Sequence, residues 1–135
     1  MACRPIGRRM NGAVWDGASP MNRKGENAIM REIIRTFYSP DKGEIPPFYL
    51  EMAGISYCDG SYWMQRKCST ETVFEYVTAG RGNLTVNGET YEASAGNIWL
   101  LRQKTDHYYR SSSDEPWIKI FFNIRGSLAE QIINE

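Results

Sequence analysis

From Phe48 to Ile124, hydrophobic and polar residues alternate in short runs broken by glycine, asparagine, proline and serine. Alternation of period two places successive side chains on opposite faces of a strand. Evenly spaced short runs with turn residues between them predict an all-β sandwich or barrel closed on itself. Strands are expected near 48–57, 61–67, 72–78, 82–87, 89–93, 97–101, 106–111 and 117–124. The sharpest local signal is Asn87-Gly88, set between Leu84-Thr85-Val86 and Glu89-Thr90-Tyr91. A two-residue type I′ hairpin needs positive φ at both central positions, which Asn and Gly tolerate.

The last expected strand separates into two unlike faces. Trp117, Lys119, Phe121 and Asn123 fall on one, and Ile118, Ile120, Phe122 and Ile124 on the other. The aliphatic and aromatic set suits packing between sheets or against a helix. Rings mixed with an amine and an amide suit the wall of a ligand cavity.

The flanks read differently. Residues 1–28 show no sustained periodicity and are expected to form a flexible N-terminal arm. Ile29, Ile33 and Phe37 recur at helical spacing, whereas Ile33-Ile34 and Thr36 favour a strand, so both readings stand there. Beyond Gly126, residues Leu128, Ala129, Ile132 and Ile133 mark one face of a helix with no stop signal before Glu135. A truncated C-terminal helix, part of a longer protein, is the expectation.

Composition narrows the function classes. The 135 residues make one domain, and 16 Lys+Arg balance 16 Asp+Glu, which argues against a nucleic-acid-binding surface. No apolar run reaches the roughly 18 residues of a membrane span, and the N-terminus lacks the apolar core of a secretory signal. Cys3, Cys58 and Cys68 match no metal-binding spacing and leave an odd thiol however they pair, pointing to a reduced, cytoplasmic setting. Cys58 and Cys68 flank the Asp59-Gly60 turn, but no disulfide is expected between them. Four Trp and eight Tyr offer ring faces for a small polar ligand, or simply fill a core.

In order and spacing, several pieces resemble the N-terminal cupin domain of AraC-type transcription regulators. They are Phe48-Tyr49-Leu50, Glu75-Tyr76-Val77 leading to Gly80-Arg81-Gly82, Leu84 to Gly88, Gly96 to Leu100, His107-Tyr108-Tyr109, and Pro116 to Gly126. The resemblance implies a cupin-type double-stranded β-helix, or jelly-roll barrel, over residues 29–126. Residues 127–135 then begin a linker or dimerisation helix. It also implies a small-molecule effector, often a carbohydrate, a homodimer, and DNA contact only through a helix-turn-helix part that this chain lacks.

Many cupins are metalloenzymes, so the ligand positions matter. Where the superfamily's first motif places histidines and a glutamate, this chain carries Arg66, Cys68 and Val73; His107 alone keeps a matching place in the second. One histidine cannot hold a catalytic metal that needs three or four protein ligands. No metal, cofactor or catalytic residue is therefore expected. Extended along the strands, the alignment turns Arg66, Glu75, His107, Tyr109, Trp117, Lys119 and Phe121 into the lumen as ligand-binding candidates. Arg66 and Glu75 could instead pair with each other at the barrel mouth. The expected function is effector sensing. The alternatives are a stand-alone cupin enzyme (a sugar isomerase or metal-dependent dioxygenase) and an interaction module with a filled barrel.

Overall fold

The computed structural model describes residues 30–38 and 43–135. The expected N-terminal arm, with Ile29, lies outside them. Among the described residues there are nine strands and one helix: β1 Arg31–Thr36, β2 Tyr49–Tyr57, β3 Trp63–Arg66, β4 Thr72–Ala79, β5 Arg81–Val86, β6 Glu89–Ser94, β7 Ile98–Leu101, β8 His107–Ser111, β9 Ile118–Arg125 and α1 Ser127–Asn134. Every strand expected from the alternation forms within a residue or two of its predicted ends.

Pairing is antiparallel throughout, in a five-stranded sheet ordered β1-β2-β9-β4-β7 and a four-stranded sheet ordered β3-β8-β5-β6. The pairs β5–β6, β4–β7, β3–β8 and β2–β9 nest around the Asn87-Gly88 turn and fall alternately in the two sheets. A long two-stranded ribbon folded back and forth in this way is the double-stranded β-helix. Its tip has the required backbone, with φ 48° at Asn87 and 88° at Gly88 and Val86 opposite Glu89.

The segment with two readings resolves as strand. β1 pairs along its whole length with β2, so the β-branched Ile33-Ile34 and Thr36 meet a ready-made edge, and sheet pairing overrides the helical spacing. Beyond β9, α1 docks its start on the loop before β2. Leu128 N–H donates to Pro47 O at 2.8 Å, and Ala129 is buried.

Between the sheets, one half of the space is filled. Trp99 and Trp117 meet at 5.6 Å between ring centroids, and Tyr109 lies 6.5 and 6.3 Å from them. Val77, Leu84, Ala93 and Leu101 complete this core. The mixed face of β9 points inward together with Trp117 just before it, and Trp117, Lys119, Phe121 and Asn123 are all buried. The aliphatic face lies outside the five-stranded sheet and not between the sheets. There Phe122 stacks on Phe74 at 5.0 Å, while Ile120 stays exposed.

Candidate functional site, a cavity between the sheets

Beside the ring cluster the interior holds a cavity. This cavity of about 200 Å³ opens where Tyr109 ends the ring cluster, walled by β1, β2, β4 and β9 on one side and β3 and β8 on the other. Five of the seven candidates line it: Arg66, Glu75, Tyr109, Lys119 and Phe121. Strand alternation brings them together. β9 supplies Lys119 and Phe121 two residues apart, β4 supplies Glu75 opposite Phe121, and β3 and β8 supply Arg66 and Tyr109 from across the barrel. Phe121 has room because β2 carries Gly54 beside it, where a Cβ would fall 2.8 Å from the phenyl ring.

The remaining two candidates lie off the cavity wall. Trp117 is wholly buried in the filled half, and its indole N–H donates to Ala93 O at 2.9 Å. Its ring is committed to the core. His107 is buried beside the cavity, opposite Arg66 in the β3–β8 register and stacked on Tyr109 at 6.0 Å.

The centre of the site is an ion pair. Lys119 is 1% exposed, and its Nζ lies 2.6 Å from Glu75 Oε2. The ammonium also sits over the Tyr109 and Tyr62 rings, at 4.5 and 4.9 Å from their centroids. The Tyr109 hydroxyl donates to Glu75 Oε1 at 3.1 Å, with Met64 Sδ at 2.9 Å. This lysine does not snorkel to water. A carboxylate and two π faces replace its hydration. The alternative in which Arg66 pairs with Glu75 does not form: Arg66 Nη1 binds Glu71 at 2.6 Å, and Glu71 also lies 3.8 Å from Arg125. Both members of that second pair are partly exposed and mark the cavity mouth.

Strand reasoning had not singled out Ser56, Glu71, Met52 and Ile34 on the wall. Ser56 accompanies Met52 and Gly54 on the inward face of β2, whose outward positions Ala53 and Ile55 are more apolar. The usual hydropathy signal is reversed there. Glu71 precedes β4, where no alternation reaches it.

The profile of the AraC-like ligand binding domain matches residues 49–135. The chain belongs to this family. Among curated relatives, the Msm operon regulatory protein of Streptococcus mutans is 30% identical over 82 residues, covering 61% of this chain and 30% of that protein. The lactose operon transcription activator of Staphylococcus xylosus is 34% identical over 64 residues, covering 47% and 22%. The chain thus spans less than a third of the length of either regulator. In fold, this AraC-like domain is similar to a Cupin 2 conserved barrel domain protein from Salinispora arenicola, with TM-score 0.56 and 13% identity over 99% of this chain and 97% of that one.

Burial sets the ionisation of the domain's interior. It pulls the Lys119 amine down, but the Glu75 carboxylate outweighs it and holds the ammonium above its ordinary range. Burial, then Glu75, raises the Tyr109 phenol, which stays a neutral donor. Cys58 is a free buried thiol, pushed up by burial to about 12, so it is neither a nucleophile nor half of a disulfide. Among the described residues, no group of three or more His, Cys, Asp and Glu side chains could hold a metal ion.

Burial, then the Arg66 charge, lowers His107 to about 4, and neither ring nitrogen has a hydrogen-bond partner among the described residues. In the unfolded chain the imidazole titrates near its ordinary value of 6.5. Between these values the unfolded state binds the extra proton, so stability rises with pH. Acidification from pH 6.5 to 4 should cost up to about 3 kcal/mol through this residue. Denaturant titrations across that window, compared between wild type and His107→Gln, read the difference in slope. Equal slopes would show that His107 is not the residue responsible.

Proposed function

We propose that this domain is the effector sensor of a transcription regulator and that its effector is a carbohydrate held in the cavity between the sheets. The observation that carries the reading is the cavity's lining. Phe121 offers a ring to the C–H face of a sugar, and Lys119, Glu75, Arg66 and Asn123 offer charged and amide groups to its hydroxyls. Hydrogen bonds to such groups in a dry site discriminate strongly, because a missing hydroxyl leaves a buried partner unsatisfied. A relative that activates the lactose operon, in Staphylococcus xylosus, supports it. The domain acts without catalysis in this reading. It works in the cytoplasm, in a full-length protein whose DNA-binding part lies outside this chain. Exposed Leu128 and Ile132 of α1 contribute to a homodimer contact. Effector then shifts the balance between dimer arrangements in proportion to its unequal affinity for them.

Thermal-shift screening against monosaccharides, disaccharides and uronic acids tests the reading, followed by titration calorimetry on any compound that stabilises. Arg66→Ala and Tyr109→Phe should each weaken the best binder by about tenfold or more, the effect of losing a hydrogen bond to a charged or buried group. The unfolding midpoint of Arg66→Ala should barely move. Unchanged affinity in both variants would place the effector elsewhere.

A further inference from the structure

Resting on the effector reading, the charge pattern of the same cavity narrows the ligand class. Four charged side chains reach the wall, two cations and two anions, and each cation already touches a carboxylate: Lys119 on Glu75 at 2.6 Å and Arg66 on Glu71 at 2.6 Å. The nearby Arg125 is held by Glu51 at 2.7 Å. Lys119 is further enclosed by the Tyr62 and Tyr109 rings. A ligand carboxylate or phosphate would therefore have to displace Glu75 or Glu71, or sit beside one of them uncompensated. A ligand ammonium would meet the same obstacle from Lys119 and Arg66. Uncompensated buried charge is disfavoured far more than a hydroxyl that bridges existing pairs. Hydroxyls suit the wall as it stands, donating to the carboxylates and accepting from the cations.

Size adds a second limit. About 200 Å³ lies below the roughly 300–1,000 Å³ of cavities that take drug-sized ligands. Among the described residues the wall carries two rings, and Lys119 covers that of Tyr109, which leaves Phe121 as the ring for stacking. We propose that the cavity selects an uncharged, polyhydroxylated ligand of a single sugar ring and rejects uronates, sugar phosphates and amino sugars of the same skeleton.

Calorimetry on the domain with neutral pentoses and hexoses, the matching uronates and 6-phosphates, and hexosamines tests this. The best neutral sugar should bind at least about tenfold more tightly than its charged counterparts. Glu71→Gln leaves Arg66 without its neutralising partner at the partly exposed mouth. The variant should shift the uronate-to-neutral affinity ratio toward the uronate by about tenfold, with the unfolding midpoint confirming a folded protein. Charged sugars that bind wild type as tightly as neutral ones would overturn the selectivity while leaving the effector reading intact. An unchanged ratio in folded Glu71→Gln would overturn the charge-pairing argument. A disaccharide that binds more tightly than either of its monosaccharides would overturn the single-ring limit. Absence of binding by every sugar would overturn both the inference and the reading beneath it.

Discussion

Lys119→Met should lower the unfolding free energy by about 3–5 kcal/mol, because it strands the Glu75 carboxylate in the interior. The cost comes from the partner left behind more than from the lost attraction. Glu75 is 3% exposed, and among the described residues its other side-chain hydrogen bond comes from the Tyr109 hydroxyl. Glu75→Gln should be similarly harmful, leaving the buried ammonium with ring faces and a neutral amide in place of its counter-charge. Combined, Lys119→Met and Glu75→Gln remove both charges, and the Gln amide oxygen can still accept from Tyr109. The double variant should recover most of the loss, giving a coupling energy of at least about 2 kcal/mol in a double-mutant cycle. Additive losses would mean that the two groups do not depend on each other. The same double variant should lose the effector, because the pair is then retained for binding and not for stability.

Trp117→Ala should cost about 3–5 kcal/mol, the usual penalty for deleting a large buried ring. The indole fills the packed half of the barrel between Trp99 and Tyr109 and donates to Ala93 O. Since it does not line the cavity, Trp117→Phe should destabilise by a smaller amount and keep effector affinity within about twofold, a difference well under one kcal/mol. Denaturant unfolding and calorimetry on the same samples separate the two effects. A large affinity loss in stably folded Trp117→Phe would return this residue to the binding site.

The contrast between Trp117 and Phe121 shows how far sequence reasoning reaches. Phe121 on β9 and Trp117 just before it face inward, and alternation alone places them there. Which one meets empty space depends on the opposite sheet and on Gly54, which makes room for Phe121. That information is spread over strands distant in sequence. The barrel itself was legible because each strand carries its own alternation and the Asn87-Gly88 turn fixes the ribbon's tip. β1 was ambiguous because its local spacing and its β-branched content disagree, and only the edge of β2 decides. The identity of the ion pairs was also hidden. Arg66 and Glu75 both point inward, but the loop residue Glu71 reaches Arg66 first and frees Glu75 for Lys119. Pairing of this kind is set by side-chain reach in three dimensions, which period-two patterns do not encode.

In the proposed function a sugar ring occupies the cavity between the sheets. This is tested most directly by a crystal structure of the domain with the monosaccharide that stabilises it most. The ring should lie against Phe121, with hydroxyls in hydrogen-bond reach of the Lys119–Glu75 pair and the Arg66 guanidinium. A sugar bound outside the two sheets, with the cavity between them unchanged, would contradict it.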